Sequence, residues 1–181
     1  MAYRLTKIYT RKGDEGYTQL NDRPVSKDDL LIEALGTLDE LNSMLGLVYS
    51  LGNLEPVVQT CITEVQNDLF EIGSEFHVPE RVTINAAKVT QLEQQLDAWN
   101  QTLPPLKEFL LPRGNAASAA CHVARTVCRR AERAVVRLHR QVPLHNPEIL
   151  RYLNRLSDLL FVMARIIAHE TNEPEAMWEH K

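Results

Sequence analysis

Apolar side chains return every three to four residues through nearly all of this chain, and that spacing dictates helix. Leu31, Ala34, Leu35, Leu38, Leu41, Leu45 and Val48 keep the period to about Leu51. Ser26 reads as the N-cap of this first helix, with Asp28 and Asp29 in its first turn, where carboxylates suit the helix dipole. A second run, Val58, Ile62, Val65, Leu69, Ile72 and Phe76, begins near Pro56 and is predicted to stop at Pro79. A third extends from about Asn85 through Val89, Leu92, Leu96 and Trp99, ending before Pro104-Pro105. The loop Leu111-Pro112-Arg113-Gly114-Asn115 launches a fourth, whose apolar side is predicted as Ala120, Val123, Val127, Ala131, Ala134 and Leu138. Asn146-Pro147 opens the fifth, with Ile149, Leu153, Leu156, Leu160, Met163 and Ile167 facing inward. No stretch sustains period-two alternation, so no sheet is expected. Five amphipathic helices on short links predict an all-α, five-helix bundle, one domain over residues 1–181, with residues 1–25 as an irregular amino-terminal segment.

A bundle names no chemistry by itself, so function has to come from sites. The fourth helix offers one. Arg125, Arg129 and Arg133 recur at i, i+4 and i+8 and form a stripe of guanidiniums, widened by Arg130 and Arg137. Like charges at this spacing repel by a few tenths of a kcal/mol per pair. Only Glu132 supplies a carboxylate within the stripe, so an anion from outside the helix is expected. The planar fork of arginine suits phosphate or carboxylate better than lysine does. A solvated basic face is the alternative, and the stripe alone does not separate the two.

Composition limits the anion. The net charge of −4 argues against a general nucleic-acid binder, so the arginine fan is a local site. No run approaches the ~18 apolar residues of a membrane span, and residues 1–20 hold no apolar signal region, so a cytoplasmic protein is expected. Cys61, Cys121 and Cys128 are odd in number and lack a C-x-x-C pair, which predicts buried free thiols. None of the six histidines lies three residues after a Glu or shows another ligand spacing, so no protein-held metal is expected.

The amino-terminal segment supplies a second anion-binding candidate. Gly13 and Gly16 let backbone N–H groups turn toward one point, as in an anion nest. Thr10 and Thr18 add hydroxyls, Arg11 and Lys12 add charge, and Lys27 can join them. Together with the arginine fan this makes a candidate polyphosphate clamp. A triphosphate carries roughly four negative charges, so several cations, with Mg²⁺, are needed to hold it.

The ordered motifs resemble those of the PduO-type ATP:cob(I)alamin adenosyltransferases over nearly the whole chain. They are Ile8-Tyr9-Thr10-Arg11-Lys12-Gly13-Asp14-Glu15-Gly16, Gly36-Thr37-Leu38-Asp39-Glu40-Leu41-Asn42-Ser43 and Phe109-Leu110-Leu111-Pro112. His122-Val123-Ala124-Arg125-Thr126-Val127-Cys128-Arg129-Arg130-Ala131-Glu132-Arg133 and Tyr152-Leu153-Asn154-Arg155-Leu156-Ser157-Asp158 complete the set.

The resemblance implies a ferritin-like five-helix bundle assembled as a homotrimer, with active sites between subunits. It implies transfer of the 5′-deoxyadenosyl group of ATP to cob(I)alamin, with Mg²⁺ accompanying the nucleotide. By resemblance, the ATP loop falls on Thr10, Arg11, Lys12, Gly13, Asp14, Glu15, Gly16, Tyr17 and Thr18, with Lys27 as a further phosphate contact. The helical ATP contacts fall on Arg129, Arg130, Ala131, Glu132, Arg133 and Ala134, and on Asn154. Asp39 and Arg125 match an ion pair across a subunit interface. Phe109 matches a phenylalanine that lies under the corrin ring and displaces its lower base, and Arg129 is the expected catalytic cation. A flavin-dependent reductase or a cobalamin-dependent enzyme is the protein partner such a reaction calls for.

Three positions depart from the family pattern. Pro112-Arg113-Gly114 replaces the commoner Pro-Gly-Gly, and Lys12 and Tyr17 replace smaller residues. A nucleotide sensor, a cobalamin-delivery protein or a structural bundle could share the fold, and turnover separates the enzyme from these.

Overall fold

The computed structural model describes residues 9, 11–78, 80–172 and 174–179 of the chain. Five helices carry it: α1 (Leu30–Ser50), α2 (Pro56–His77), α3 (Ala86–Asn100), α4 (Ala116–Gln141) and α5 (Glu148–Glu170). The expected bundle is therefore present, and several of its boundaries lie where local chemistry puts them. Pro56 occupies the first turn of α2, where its missing N–H costs nothing. Asn85 and Asn115 cap α3 and α4 by accepting from Lys88 N and Ser118 N. Pro79, proposed as the stop for α2, lies outside the described residues; the helix ends at His77.

Two expectations fail at the amino-terminal side. A small antiparallel hairpin, β1 (Tyr17–Leu20) and β2 (Arg23–Ser26), precedes the bundle, with Tyr17 opposite Ser26 and Leu20 opposite Arg23. Its two-residue turn, Asn21-Asp22, has φ of 48° and 61°, a left-handed pair that Asn and Asp tolerate and that matches strand twist. Four-residue strands are too short to display a period, so the turn pair was the only sequence signal. Ser26, in consequence, ends β2 and is not the cap of α1. Asp29 is, with its carboxylate accepting from Leu31 N at 2.8 Å.

α5 is buried nearly all round and packs on α3 and α4, while α1 packs on α2 and α4. Its predicted inward residues are all buried, joined by Tyr152, Leu159, Val162 and Ile166. Flanked by both α1 and α5, α4 buries a wider seam than one apolar stripe: Cys121, Ala124, Cys128 and Val135 join Ala120, Val127, Ala131 and Leu138. Val123, expected inside, is 48% exposed because the unburied side of α4 turns out to include it. Ala134 is only half-buried. The three cysteines are buried free thiols, and Cys121 and Cys128 donate to Leu160 O and Leu153 O. Burial pushes the Cys61 thiol up to about 12 and the other two higher still, so none is a ready nucleophile. Glu75 is a buried carboxylate that ties three segments together, accepting from Thr83 N, Thr83 Oγ1, Ile84 N and Asn146 Nδ2. Burial alone would raise its pKa, but these donors outweigh it and hold the group below the usual carboxylate range. Among the described residues, no helix is long and apolar enough to cross a membrane.

Candidate active site

The outward side of α4 presents the arginines. Arg129 and Arg133 are exposed, and Glu132 between them is half-buried. From α5, Asn154 donates Nδ2 to Glu132 Oε1 at 3.2 Å. Arg155 is tied to Glu93 of α3 at 2.8 Å and reaches Asn154 Oδ1 at 3.4 Å, so three helices set the position of this amide. Arg129, Glu132 and Arg133 line a groove of about 620 Å³ that continues to Arg137 and Arg140. A neighbouring cleft of about 300 Å³ holds Arg125, Arg129, Asp158, Phe161 and Arg165.

The remaining α4 positions lie elsewhere. Arg130 turns toward α1 and pairs with Glu40, so Glu132 is not the stripe's only carboxylate partner. The sequence period could not show this, because Glu40 arrives from another helix. Ala131 is fully buried, so its methyl group is withheld from any ligand in the groove.

Arg125 is the least exposed arginine of α4. It lies over the Phe161 ring at 6.0 Å, and its Nε is buried without a hydrogen-bond partner among the described residues. Burial and the nearby Arg129 hold its pKa below the ordinary arginine value, with Cys121 opposing them. One turn earlier, His122 packs against Phe161 with ring centroids 6.1 Å apart, and its Nδ1 is also buried without a partner among the described residues. Burial, then Arg125, bring this imidazole down to about 4, so it is neutral at pH 7.

Of the amino-terminal segment, Thr10 lies outside the described residues. Arg11 and Gly16 adopt left-handed φ of 60° and 84°, which curl the loop back on itself. Lys27 closes it: its Nζ donates to Gly13 O at 2.8 Å and its N–H donates to Gly16 O at 2.8 Å. A Cβ at position 13 would meet Lys27 Nζ at 3.1 Å and Tyr17 O at 3.2 Å, which accounts for Gly13. Lys12, Asp14, Glu15 and Tyr17 are exposed and Thr18 is half-buried. The structure thus brings Lys27 and the loop together. Asn21 anchors the hairpin to the end of α2 by donating to His77 O. Among the described residues, no hydrogen bond or ion pair within the chain joins this loop to Arg129, Glu132, Arg133 or Asn154.

Phe109, after α3, is 75% exposed, an unusual position for a phenylalanine. The family model for cobalamin adenosyltransferase matches residues 8–167, which takes in the loop, the α4 arginines, Phe109 and Asn154. This chain belongs to the cobalamin adenosyltransferase family. It is 43% identical to a cobalamin adenosyltransferase of Cupriavidus metallidurans, over 100% of this chain and 98% of that one. It is 40% identical to the corrinoid adenosyltransferase of Bacillus subtilis, over 89% of this chain and 86% of that one. Among solved structures it resembles a variant of the PduO-type ATP:corrinoid adenosyltransferase from Lactobacillus reuteri, complexed with cobalamin and ATP. The TM-score is 0.90 at 34% identity, covering 96% of this chain and 100% of that one.

In this chain, Asp39 is exposed beside a groove between α1 and α2 lined by Leu35, Asn42, Phe70, His77 and Arg81. Arg125 lies in the cleft beside α5, so one chain does not bring the two together in a single pocket. Sequence reasoning missed the carboxy-terminal residues near Phe109. Trp178 stacks at 6.3 Å from the Phe109 ring, and Arg165 pairs with Glu175. An isolated tryptophan near a chain end carries no local pattern, so only the folded chain reveals that contact.

Proposed function

We propose that this protein is an ATP:corrinoid adenosyltransferase, moving the 5′-deoxyadenosyl group of ATP onto the cobalt of cob(I)alamin. The Co–C5′ bond forms as the C5′–O5′ bond breaks, and triphosphate leaves with the oxygen and the bond's electron pair. Cob(I)alamin is itself the nucleophile, so the protein's work is placement and electrostatics. The observation that carries the assignment is the Arg129–Glu132–Arg133 face joined to Asn154, on a chain matched by the family over residues 8–167.

In this reading Arg129 and Arg133 hold the phosphoryl tail as negative charge grows on the leaving group, Glu132 and Asn154 orient the nucleotide, and Mg²⁺ arrives with ATP. Lys27 and residues 10–18 supply the other half of the clamp. That no hydrogen bond or ion pair among the described residues joins them to the α4 face supports a site shared between subunits of a homotrimer. The orphaned Arg125 Nε supports an ion pair with Asp39 of a neighbouring subunit. The exposed ring of Phe109 would close the lower face of the corrin and exclude water and base, which favours four-coordinate cobalt and eases reduction to Co(I). Reduction calls for an electron donor such as a flavin-dependent reductase, and a cobalamin-dependent enzyme is the natural acceptor of product; the cytoplasm fits both.

Purified protein with ATP, Mg²⁺ and chemically reduced cobalamin should give a photolabile alkylcobalamin spectrum and one triphosphate per corrinoid. Ligand binding without turnover would reject the enzyme in favour of a sensor or carrier.

A further inference from the structure

The carboxy-terminal residues 174–179 run back along the segment that carries Phe109. Leu110 and Met177 form an antiparallel bridge. Trp178 N–H donates to Phe109 O at 2.7 Å, and Leu111 N–H donates to Ala176 O at 2.8 Å. This register sets Phe109 and Trp178 directly opposite each other, with both side chains on one face of the ladder. Their rings meet at 6.3 Å and 54°, a tilted arrangement within the attractive range for aromatic pairs. With 75% of its surface exposed, Phe109 has little else to select its rotamer.

So short a ladder does not hold itself in water. Arg165 fastens it from α5. This side chain is 3% exposed, and its Nε and Nη2 fork onto Glu175 Oε1 and Oε2 at 2.5 and 3.2 Å. Nη2 also donates to Pro104 O at 2.7 Å. One buried cation thus ties down both the chain leading into Phe109 and the tail that answers it, while lining the cleft shared by Arg125 and Arg129. A guanidinium so deeply buried is retained only with a partner, so the tail is held in place and does not trail.

We propose that Trp178 and Glu175, pinned by Arg165, are positioning residues for Phe109. The tail sets the direction in which the ring is presented, and through it how completely the lower face of the corrin is closed. The proposal rests on the role given to Phe109 above.

The test compares Trp178→Ala, Glu175→Gln, the conservative Trp178→Phe and, as a control on the underlying role, Phe109→Ala. With ATP and cob(II)alamin bound, electron paramagnetic resonance reads the share of Co(II) lacking a lower ligand. Steady-state kinetics then separate corrinoid KM from kcat, and a titration reads ATP affinity. Trp178→Ala and Glu175→Gln should each cut that share and kcat by about tenfold, short of the roughly hundredfold that an ångström of misplacement can cost. ATP affinity should hold, and Trp178→Phe should restore the signal. A wild-type share in Trp178→Ala and Glu175→Gln, with loss in Phe109→Ala, overturns the positioning proposal and leaves Phe109's role standing. A wild-type share in Phe109→Ala overturns that role, and the proposal with it. Trp178 lies at the surface, so its truncation leaves the core intact and keeps the test readable should Glu175→Gln fail to fold.

Discussion

Asn154 of α5 donates its amide to the Glu132 carboxylate of α4 across 3.2 Å, and Glu132 shares its groove with Arg129 and Arg133. The pair spans the two helices whose packing forms the centre of the bundle, so the geometry of the arginine face is inherited from the core. Removing the amide with Asn154→Ala should cost about 1 kcal/mol, the net worth of one hydrogen bond, and roughly a fivefold fall in kcat/KM for ATP. Because Asn154 is exposed, the melting temperature should fall by no more than about 2–4 °C. A large loss of stability with unchanged kinetics would make the pair a strut between helices.

Arg129 faces both the groove and the cleft, which is what a cation acting on the departing triphosphate requires. Arg129→Ala should lose roughly 2–4 kcal/mol of transition-state stabilisation, as for removal of one oriented donor, or about thirtyfold to a thousandfold in kcat/KM. Arg129→Lys keeps the charge without the fork and should fall between. Near-wild-type turnover in Arg129→Ala would remove it from the site.

Arg125 has a buried Nε with no acceptor among the described residues, and burial depresses its pKa. If Asp39 of a neighbouring subunit supplies the acceptor, Asp39→Ala should weaken the oligomer in sedimentation velocity or lower activity. The charge-swapped pair Asp39→Arg with Arg125→Asp should recover part of the loss. Unchanged assembly and turnover in Asp39→Ala would exclude the contact.

His122 gives stability a pH dependence of definite sign. Its folded pKa of about 4 lies below the ordinary imidazole value of 6.5, so the unfolded chain binds the proton first as pH falls. The His122 contribution is complete above pH 6.5 and drains away toward pH 4 at up to about 1.4 kcal/mol per pH unit. Glu75, with its lowered pKa, loses its contribution only below the ordinary carboxylate value of 4.5, whereas burial raises Glu170 and makes it act above 4.5 with the opposite sign, so comparison with a His122 variant is what isolates the imidazole. Urea unfolding from pH 7 to 4.5 should show the slope, and His122→Asn should flatten it. An equal slope in both proteins would assign the effect to other groups.

The helices and many of their ends were legible because their causes are local. Apolar period, the preset φ of Pro56 and the caps at Asn85 and Asn115 act within one turn of chain. The stripe of guanidiniums was legible too, since Arg125, Arg129 and Arg133 share a face of any helix. The hairpin at Asn21-Asp22 was not, for two short strands have no period to display, and its presence moved the cap from Ser26 to Asp29.

By itself, then, the sequence determined the helices, the stripe of guanidiniums and the loop glycines, all consequences of interactions between near neighbours. Tertiary packing decided which side of α4 was left for ligand, exposing Val123 and sending Arg130 to Glu40. It also placed Asn154 beside Glu132 and drew Glu175 and Trp178 back to Arg165 and Phe109. Those contacts join residues far apart in the chain, and no periodicity encodes them: each exists only once the helices have buried their apolar faces against one another.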